Sequence, residues 1–140
     1  MAASQGGIGK NSKVEVETTL GAGDWFKLGE VGDIPLPDET VDDVDITHQD
    51  SPDDAYEFVP GLTQYGEMQL PLNWIPGNPT ETYYHTWKAA RERRTVRITA
   101  PNGQAYAGLM YPRTLSRVLP LKDKMAATMT FKSGGPFLPL

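Results

Sequence analysis

Apolar and polar residues alternate with period two along most of the chain, and this alternation predicts β-strands. Val14, Val16, Thr18 and Leu20 alternate with Lys13, Glu15, Glu17 and Thr19. Met68, Leu70, Leu72 and Trp74 alternate with Glu67, Gln69, Pro71 and Asn73. Met125, Ala127, Met129 and Phe131 alternate with Ala126, Thr128, Thr130 and Lys132. Each pattern places one face on a core and the other toward something polar. Pro71 has no N–H for a ladder, so its strand is interrupted or lies at an edge. Asn102-Gly103 predicts a two-residue hairpin turn joining strands at 95–100 and 104–111. Shorter strands are expected at 25–31, 41–47 and 114–119.

One segment breaks the period. Asn78-Pro79-Thr80-Glu81 reads as an N-cap, a proline at the first helical position and a capping-box glutamate. Tyr84, Trp87, Ala90 and Arg91 then recur at helical spacing, while Lys88, Arg91, Arg93 and Arg94 crowd the negative end of the dipole. The pattern predicts a mainly β fold, a sandwich or barrel, with one α-helix at about 78–94 packed on it by Tyr84 and Trp87. Between the early strands lies a long acidic loop at about 38–64, with nine carboxylates from Asp38 to Glu57. Loops of that length are functional or disordered, and Tyr56, Phe58 and Val59 give this one somewhere to dock. Residues 1–12, rich in Gly, Ser and Ala, read as a flexible arm, leaving a single β domain over 13–140.

Charge sharpens this outline. The 140 residues carry a net charge of −5, but residues 28–87 hold thirteen acidic residues and no Lys or Arg, whereas 88–140 hold ten basic and two acidic ones. Such a polarised chain is suited to stacking on copies of itself. There is no cysteine, which excludes disulfides, thiolate zinc sites and cysteine nucleophiles. No apolar run is long enough to span a membrane and no signal-peptide pattern opens the chain, so the expectation is a soluble domain made in a cytoplasm.

Candidate chemistry fails on spacing. Gly6-Gly7-Ile8-Gly9-Lys10 invites a phosphate-loop reading, but Ser4 stands where its first glycine belongs and Asn11 where Ser or Thr belongs. The aspartates of the loop lack the glycine and the ligand spacing of a calcium site. His48 and His85, the only histidines, sit in neither a nucleophile elbow nor a metal-ligand pair. No enzyme, metal or cofactor is expected. The basic cluster of Lys88, Arg91, Arg93, Arg94 and Arg97 lacks interleaved aromatic platforms, and a pI near 4.9 opposes tight phosphate binding. Pairing with carboxylates of this or a neighbouring chain is the better use.

The order of elements then resembles a known family. Trp25-x-x-Leu28-x-x-Val31-x-Asp33 is followed by the acidic tyrosine-bearing loop and Leu72-Asn73-Trp74-Ile75-Pro76-Gly77. The helix, Ile98-Thr99-Ala100-Pro101-Asn102-Gly103 and Thr130-Phe131-Lys132-Ser133-Gly134-Gly135-Pro136 complete the run. This resembles the tail tube proteins of bacteriophages with long, non-contractile, lambda-like tails. The resemblance implies a structural virion protein, assembled in the host cytoplasm, whose hexameric rings stack into a hollow tube. Double-stranded DNA would pass through it without tight binding, and the partners would be other copies, the tape measure, the tail tip and the terminator. On this reading Asp42, Asp43, Asp45, Asp50, Asp53, Asp54, Tyr56, Glu57 and Phe58 form an inter-subunit loop. Lys88, Arg91, Arg94, Arg113 and Arg117 form its basic counter-surface, and Glu15, Glu17 and Glu67 face the lumen. The competing readings are a terminator or head–tail joining ring, and a monomeric β-sandwich binding module using Trp25 and Trp74.

Overall fold

The computed structural model describes residues 4, 7–21 and 23–140, so part of the expected 1–12 arm lies outside the described residues. Among these residues eight strands and one α-helix follow in the order β1 (Lys13–Glu17), β2 (Trp25–Lys27), β3 (Glu39–Asp45), β4 (Phe58–Tyr65), β5 (Glu67–Asn73), α1 (Pro79–Ala90), β6 (Arg94–Thr99), β7 (Ala105–Val118) and β8 (Ala126–Pro139), with a short 3-10 turn at Pro52–Asp54. Six of them form an antiparallel sheet in the order β2-β1-β6-β7-β8-β5, and β3 pairs with β4 alone. The mainly β class with one packed helix is as the alternation predicts, although the sheet stays open at β2 and β5.

Alternation becomes burial in the large sheet. Val14 and Val16 of β1, Val96 and Ile98 of β6, Met110 of β7, Met129 and Phe131 of β8 and Met68, Leu70 and Leu72 of β5 share one buried core. Helix α1 supplies the second layer: Trp87 stacks on Phe131 with ring centroids 5.4 Å apart, and Tyr84 meets Phe131 edge-on at 6.2 Å. Pro71 does not interrupt β5. The strand runs through it at the sheet edge, where a missing N–H costs no ladder bond.

Local chemistry moves several boundaries. Asn78 Oδ1 accepts from the Glu81 amide at 3.0 Å, so the N-cap is as expected. The helix, however, ends at Ala90, because Arg91 turns left-handed at φ 53° and donates its N–H to the Lys88 carbonyl. Arg93 and Arg94 therefore leave the helix, and Arg94 opens β6. The turn after β6 has three residues rather than two: Gly103 N–H closes on the Ala100 carbonyl at 2.9 Å, and Gly103 alone takes a positive φ, 93°. The expected short strand at 114–119 is the far half of one 14-residue strand, β7. Thr18 and Leu20 fall beyond β1, and Leu20 is exposed.

The largest departure is the acidic stretch. It is not an irregular loop but a β-hairpin, in which Val44 pairs with Val59 and Asp45 with Phe58. A bulge at Asp42 skips one register position. Gly61 is needed there, since a Cβ on it would lie 2.9 Å from Val44 Cγ2 and 3.1 Å from the Asp42 carbonyl oxygen.

Candidate functional site

The β3–β4 hairpin joins the sheet near its base, where Thr63 and Tyr65 lie along Ser133, Gly135 and Pro136 of β8. Gly66 N–H donates to the Asp38 carbonyl at 2.9 Å, and Ser133 Oγ donates to the Gly66 carbonyl at 2.7 Å. Beyond that base, neither strand contains a buried residue. Val41, Val44, Ile46, Phe58 and Val59 are exposed, as are Tyr56 at 79 % and Leu62 at 83 %. Two strands alone bury too little to be stable in water, and a cluster of exposed apolar side chains marks a contact surface.

The hairpin tip is closed by its own polar groups. Ile46 N–H donates to the Glu57 carbonyl at 3.0 Å, and Glu57 N–H donates to Thr47 Oγ1 at 2.8 Å. Ser51 Oγ donates to Glu57 Oε2 at 2.7 Å and accepts from the His48 amide at 2.9 Å. His48 Nε2 stands 3.5 Å from the same Glu57 oxygen. Hydrogen bonds from the Thr47 hydroxyl and amide hold the Asp45 carboxyl below its usual range. Asp53 and Asp54 both take left-handed φ angles, 56° and 55°, which turns the chain sharply at the tip. Asp42, Asp43, Asp45, Asp50, Asp53, Asp54 and Glu57 thus ride on one projecting ribbon, with Tyr56 and Phe58 beside them.

The expected basic counter-surface is divided. Arg94 is 3 % exposed: its Nε donates to Glu92 at 2.8 Å and its Nη1 to Tyr83 Oη at 3.1 Å. Burial alone would lower its pKa, but the hydrogen bonds to Tyr83 and Glu92 prevail and hold it above the ordinary value. Burial in turn raises the Tyr83 phenol. Arg94 is thus a core cation and drops out of any counter-surface. Arg113 pairs with Glu67, and Arg117 reaches Glu81 Oε1 at 3.1 Å. Lys88 and Arg91 remain exposed at the end of α1, beside Arg93, Tyr111 and Pro112.

The candidate lumen residues are also engaged within the chain. Glu17 is 7 % exposed, with its carboxylate 3.4 Å from the Gly23 amide, so it is structural and not a channel-facing charge. Glu15 sits opposite Arg97 in register and accepts from its Nη2 at 3.0 Å. Trp25 covers that arginine at 4.1 Å; among the described residues Arg97 Nε has no hydrogen-bond partner, and Glu15 Oε1 has only Lys13 Nζ, at 3.8 Å.

Two features escaped the sequence reading. Glu81 is a junction: its Oε2 accepts from Trp74 Nε1 at 2.7 Å and Gly77 N at 3.1 Å, while Oε1 takes Arg117. The Trp74 hydrogen bond, helped by those of Gly77, His85 and Arg117, lowers its pKa against the opposing effect of burial. Trp74 is thereby committed to this junction. The other feature is the β7–β8 turn. It exposes Leu119, Leu121 (95 %), Lys122 and Lys124, and among the described residues neither lysine has a carboxylate partner within ion-pair distance. The signal was an apolar–basic run, Leu119-Pro120-Leu121-Lys122-Asp123-Lys124, between two strands.

Among the described residues no cluster of His, Asp and Glu could hold a metal, and no helix is long and apolar enough to cross a membrane. No curated protein matches the chain in sequence. Its fold is similar to that of a chain in the tail of an empty gene transfer agent particle with C6 symmetry, at TM-score 0.75 and 13 % identity over 94 % of this chain and 97 % of that one. It is similar to the SPP1 tail tube at TM-score 0.70 and 9 % identity, over 94 % and 77 %. The anti-feeding prophage tube-terminating cap gives TM-score 0.71 and 14 % identity, over 100 % and 94 %. In sequence, residues 10–138 match the family model described as lambda phage tail tube protein, TTP. The chain belongs to that lambda phage tail tube protein family, and its role is that of a structural component of the phage tail.

Proposed function

We propose that copies of this chain close into hexameric rings and that the rings stack into a hollow tube through which double-stranded DNA leaves the virion. The observation that carries the reading is the β3–β4 hairpin, an acidic ribbon whose apolar side chains find no cover among the described residues. Docked on a neighbour, each of Val44, Tyr56, Phe58 and Leu62 would contribute roughly 1.5–3 kcal/mol on full burial. Each exposed ion pair adds at most about 1 kcal/mol, so charge sets orientation and the apolar residues set strength. Asp42, Asp43, Asp45, Asp50, Asp53, Asp54 and Glu57 are the orienting charges. Lys88 and Arg91 are counter-charges within reach of solvent; Arg113 and Arg117 would have to exchange Glu67 and Glu81 for a neighbour's carboxylates.

The role is mechanical rather than catalytic. Glu15 and Glu67 lie on the sheet face opposite α1, and we assign that face to the lumen. Their pairing with Arg97 and Arg113 neutralises two of the cations there, while Lys27 and Lys132, opposite Glu15 and Glu67 in register, have no ion pair among the described residues. The tape measure, tail tip and terminator are the remaining partners. The C6 symmetry of the gene transfer agent tail supports six subunits per ring. A terminating cap has a similar fold, so a single ring is the competing outcome.

Electron microscopy of the concentrated protein tests this. Long tubes with six-fold cross-sections are expected. Isolated rings would assign a terminating role, and monomers at every concentration would overturn the proposal.

A further inference from the structure

The hairpin base and the β7–β8 turn lie at opposite ends of edge strand β5, while β8 runs on past the base to Pro139. Strand β5 measures the separation. Its first residue, Glu67, pairs with Lys132 next to the hairpin base, and its last, Asn73, pairs with Ala126 next to the turn. Seven residues of strand separate them by roughly 20 Å. The hairpin continues outward from the first end, because Thr63 and Tyr65 lie along Ser133, Gly135 and Pro136, beyond Lys132. The turn closes the second end, where the Trp74 amide donates to the Met125 carbonyl at 3.1 Å.

The two ends are complementary. From Glu39 to Tyr65 the hairpin carries eight carboxylates and no Lys or Arg. The turn carries Lys122 and Lys124 against Asp123 alone, with Val118, Leu119, Leu121 and Met125 exposed around them. Each end thus joins apolar side chains to charge of one sign. The Lys88–Arg91 cluster is a poorer acceptor for an axial contact, since it flanks Tyr111, which pairs with Lys132 toward the hairpin's own end.

We propose that the acidic β3–β4 hairpin of one subunit seats, head to tail, on the β7–β8 turn of a second copy, with Leu119 and Leu121 taking Tyr56 and Phe58 and with Lys122 and Lys124 facing Asp53 and Asp54. This deepens the proposed function and rests on it, because it names the acceptor for the same hairpin. Such a contact is heterologous, so repetition propagates along an axis instead of closing a pair.

The absence of cysteine gives a clean test. Tyr56→Cys and Leu121→Cys are placed together in the full chain, tubes are assembled and confirmed by microscopy, and a short bis-maleimide is added. The double variant should give a ladder of covalent multimers on a denaturing gel, and each single variant should stay monomeric. A ladder from Tyr56→Cys with Arg91→Cys, and none with Leu121→Cys, would overturn the acceptor while leaving the tube reading intact. If the unmodified protein forms no tubes, the underlying reading fails and this one with it. As a second readout, Lys122→Glu with Lys124→Glu should raise the critical concentration for tubes about tenfold at low salt, as two exposed ion pairs would. Adding Asp53→Lys and Asp54→Lys should restore it; no rise, or no rescue, would contradict the assignment.

Discussion

Strand β5 and the β3–β4 hairpin are neighbours in sequence and opposites in packing. In β5 every second residue, Met68, Leu70 and Leu72, is buried in the core it shares with α1 and β8. In the hairpin Val44, Phe58 and Val59 are as apolar, yet none is buried. The difference lies in the second layer. Helix α1 brings Tyr84 and Trp87 down on the sheet, whereas among the described residues nothing covers the hairpin. Apolar patterning therefore reports where a residue wants cover, not whether its own chain supplies it. For a protein that works as one link in a repeating assembly, the uncovered element is the informative one.

The comparison can be broken from the core side first. Trp87→Ala removes the stacking partner of Phe131 and should cost about 3–5 kcal/mol in a chemical unfolding experiment. Tyr56→Ala with Phe58→Ala should leave the monomer's unfolding midpoint within about 0.5 kcal/mol of the parent, as for surface positions, while abolishing tubes in the microscope. A smaller core effect is expected at Gly108, where a Cβ would lie 2.7 Å from the Pro136 carbonyl oxygen and 2.9 Å from Phe137. Gly108→Ala should destabilise by about 1–3 kcal/mol, seen as a shift of the thermal transition.

Acid sharpens the contrast between the two regions. The folded-state pKa of Glu81 lies below the ordinary 4.5, mainly through the Trp74 hydrogen bond. A depressed carboxylate contributes stability that is present above the unfolded pKa and lost as pH falls through the folded one. The unfolding midpoint should therefore drop as pH falls below about 4.5, and Glu81→Gln should flatten that drop. The smallest effect belongs to single charges on the hairpin. Asp50→Asn alone should change the critical concentration for assembly less than tenfold, measured by light scattering at low salt.

How legible all this was depends on the range of the interaction involved. The start of α1 was legible because Asn78, Pro79 and Glu81 act within one turn. Its end was not, because Arg91 takes a left-handed cap that sequence reserves for glycine. The core was legible wherever alternation met a covering layer, as at Val14, Met68 and Phe131. Cross-strand partners were not: Arg97 meets Glu15 through register across 82 positions, and Arg113 meets Glu67 across 46. Those pairings, set by topology, decide which charges are free, so Arg94 and Glu17 read as surface charges and are buried. Lys122 and Lys124 were passed over because a two-lysine turn looks like ordinary solvated loop until its position opposite the hairpin is known.

The central claim, that the hairpin serves the assembly and not the fold, has one direct measurement. Thr40 and Gln64 face each other in register at the hairpin base, so an Asn-Gly turn can join them in place of residues 41–63. The shortened chain is compared with the parent by calorimetry and by electron microscopy at equal concentration. The account predicts an unfolding transition within a few degrees of the parent and no stacked tubes under conditions where the parent forms them. Normal tubes from the shortened chain, or loss of its cooperative unfolding, would contradict it.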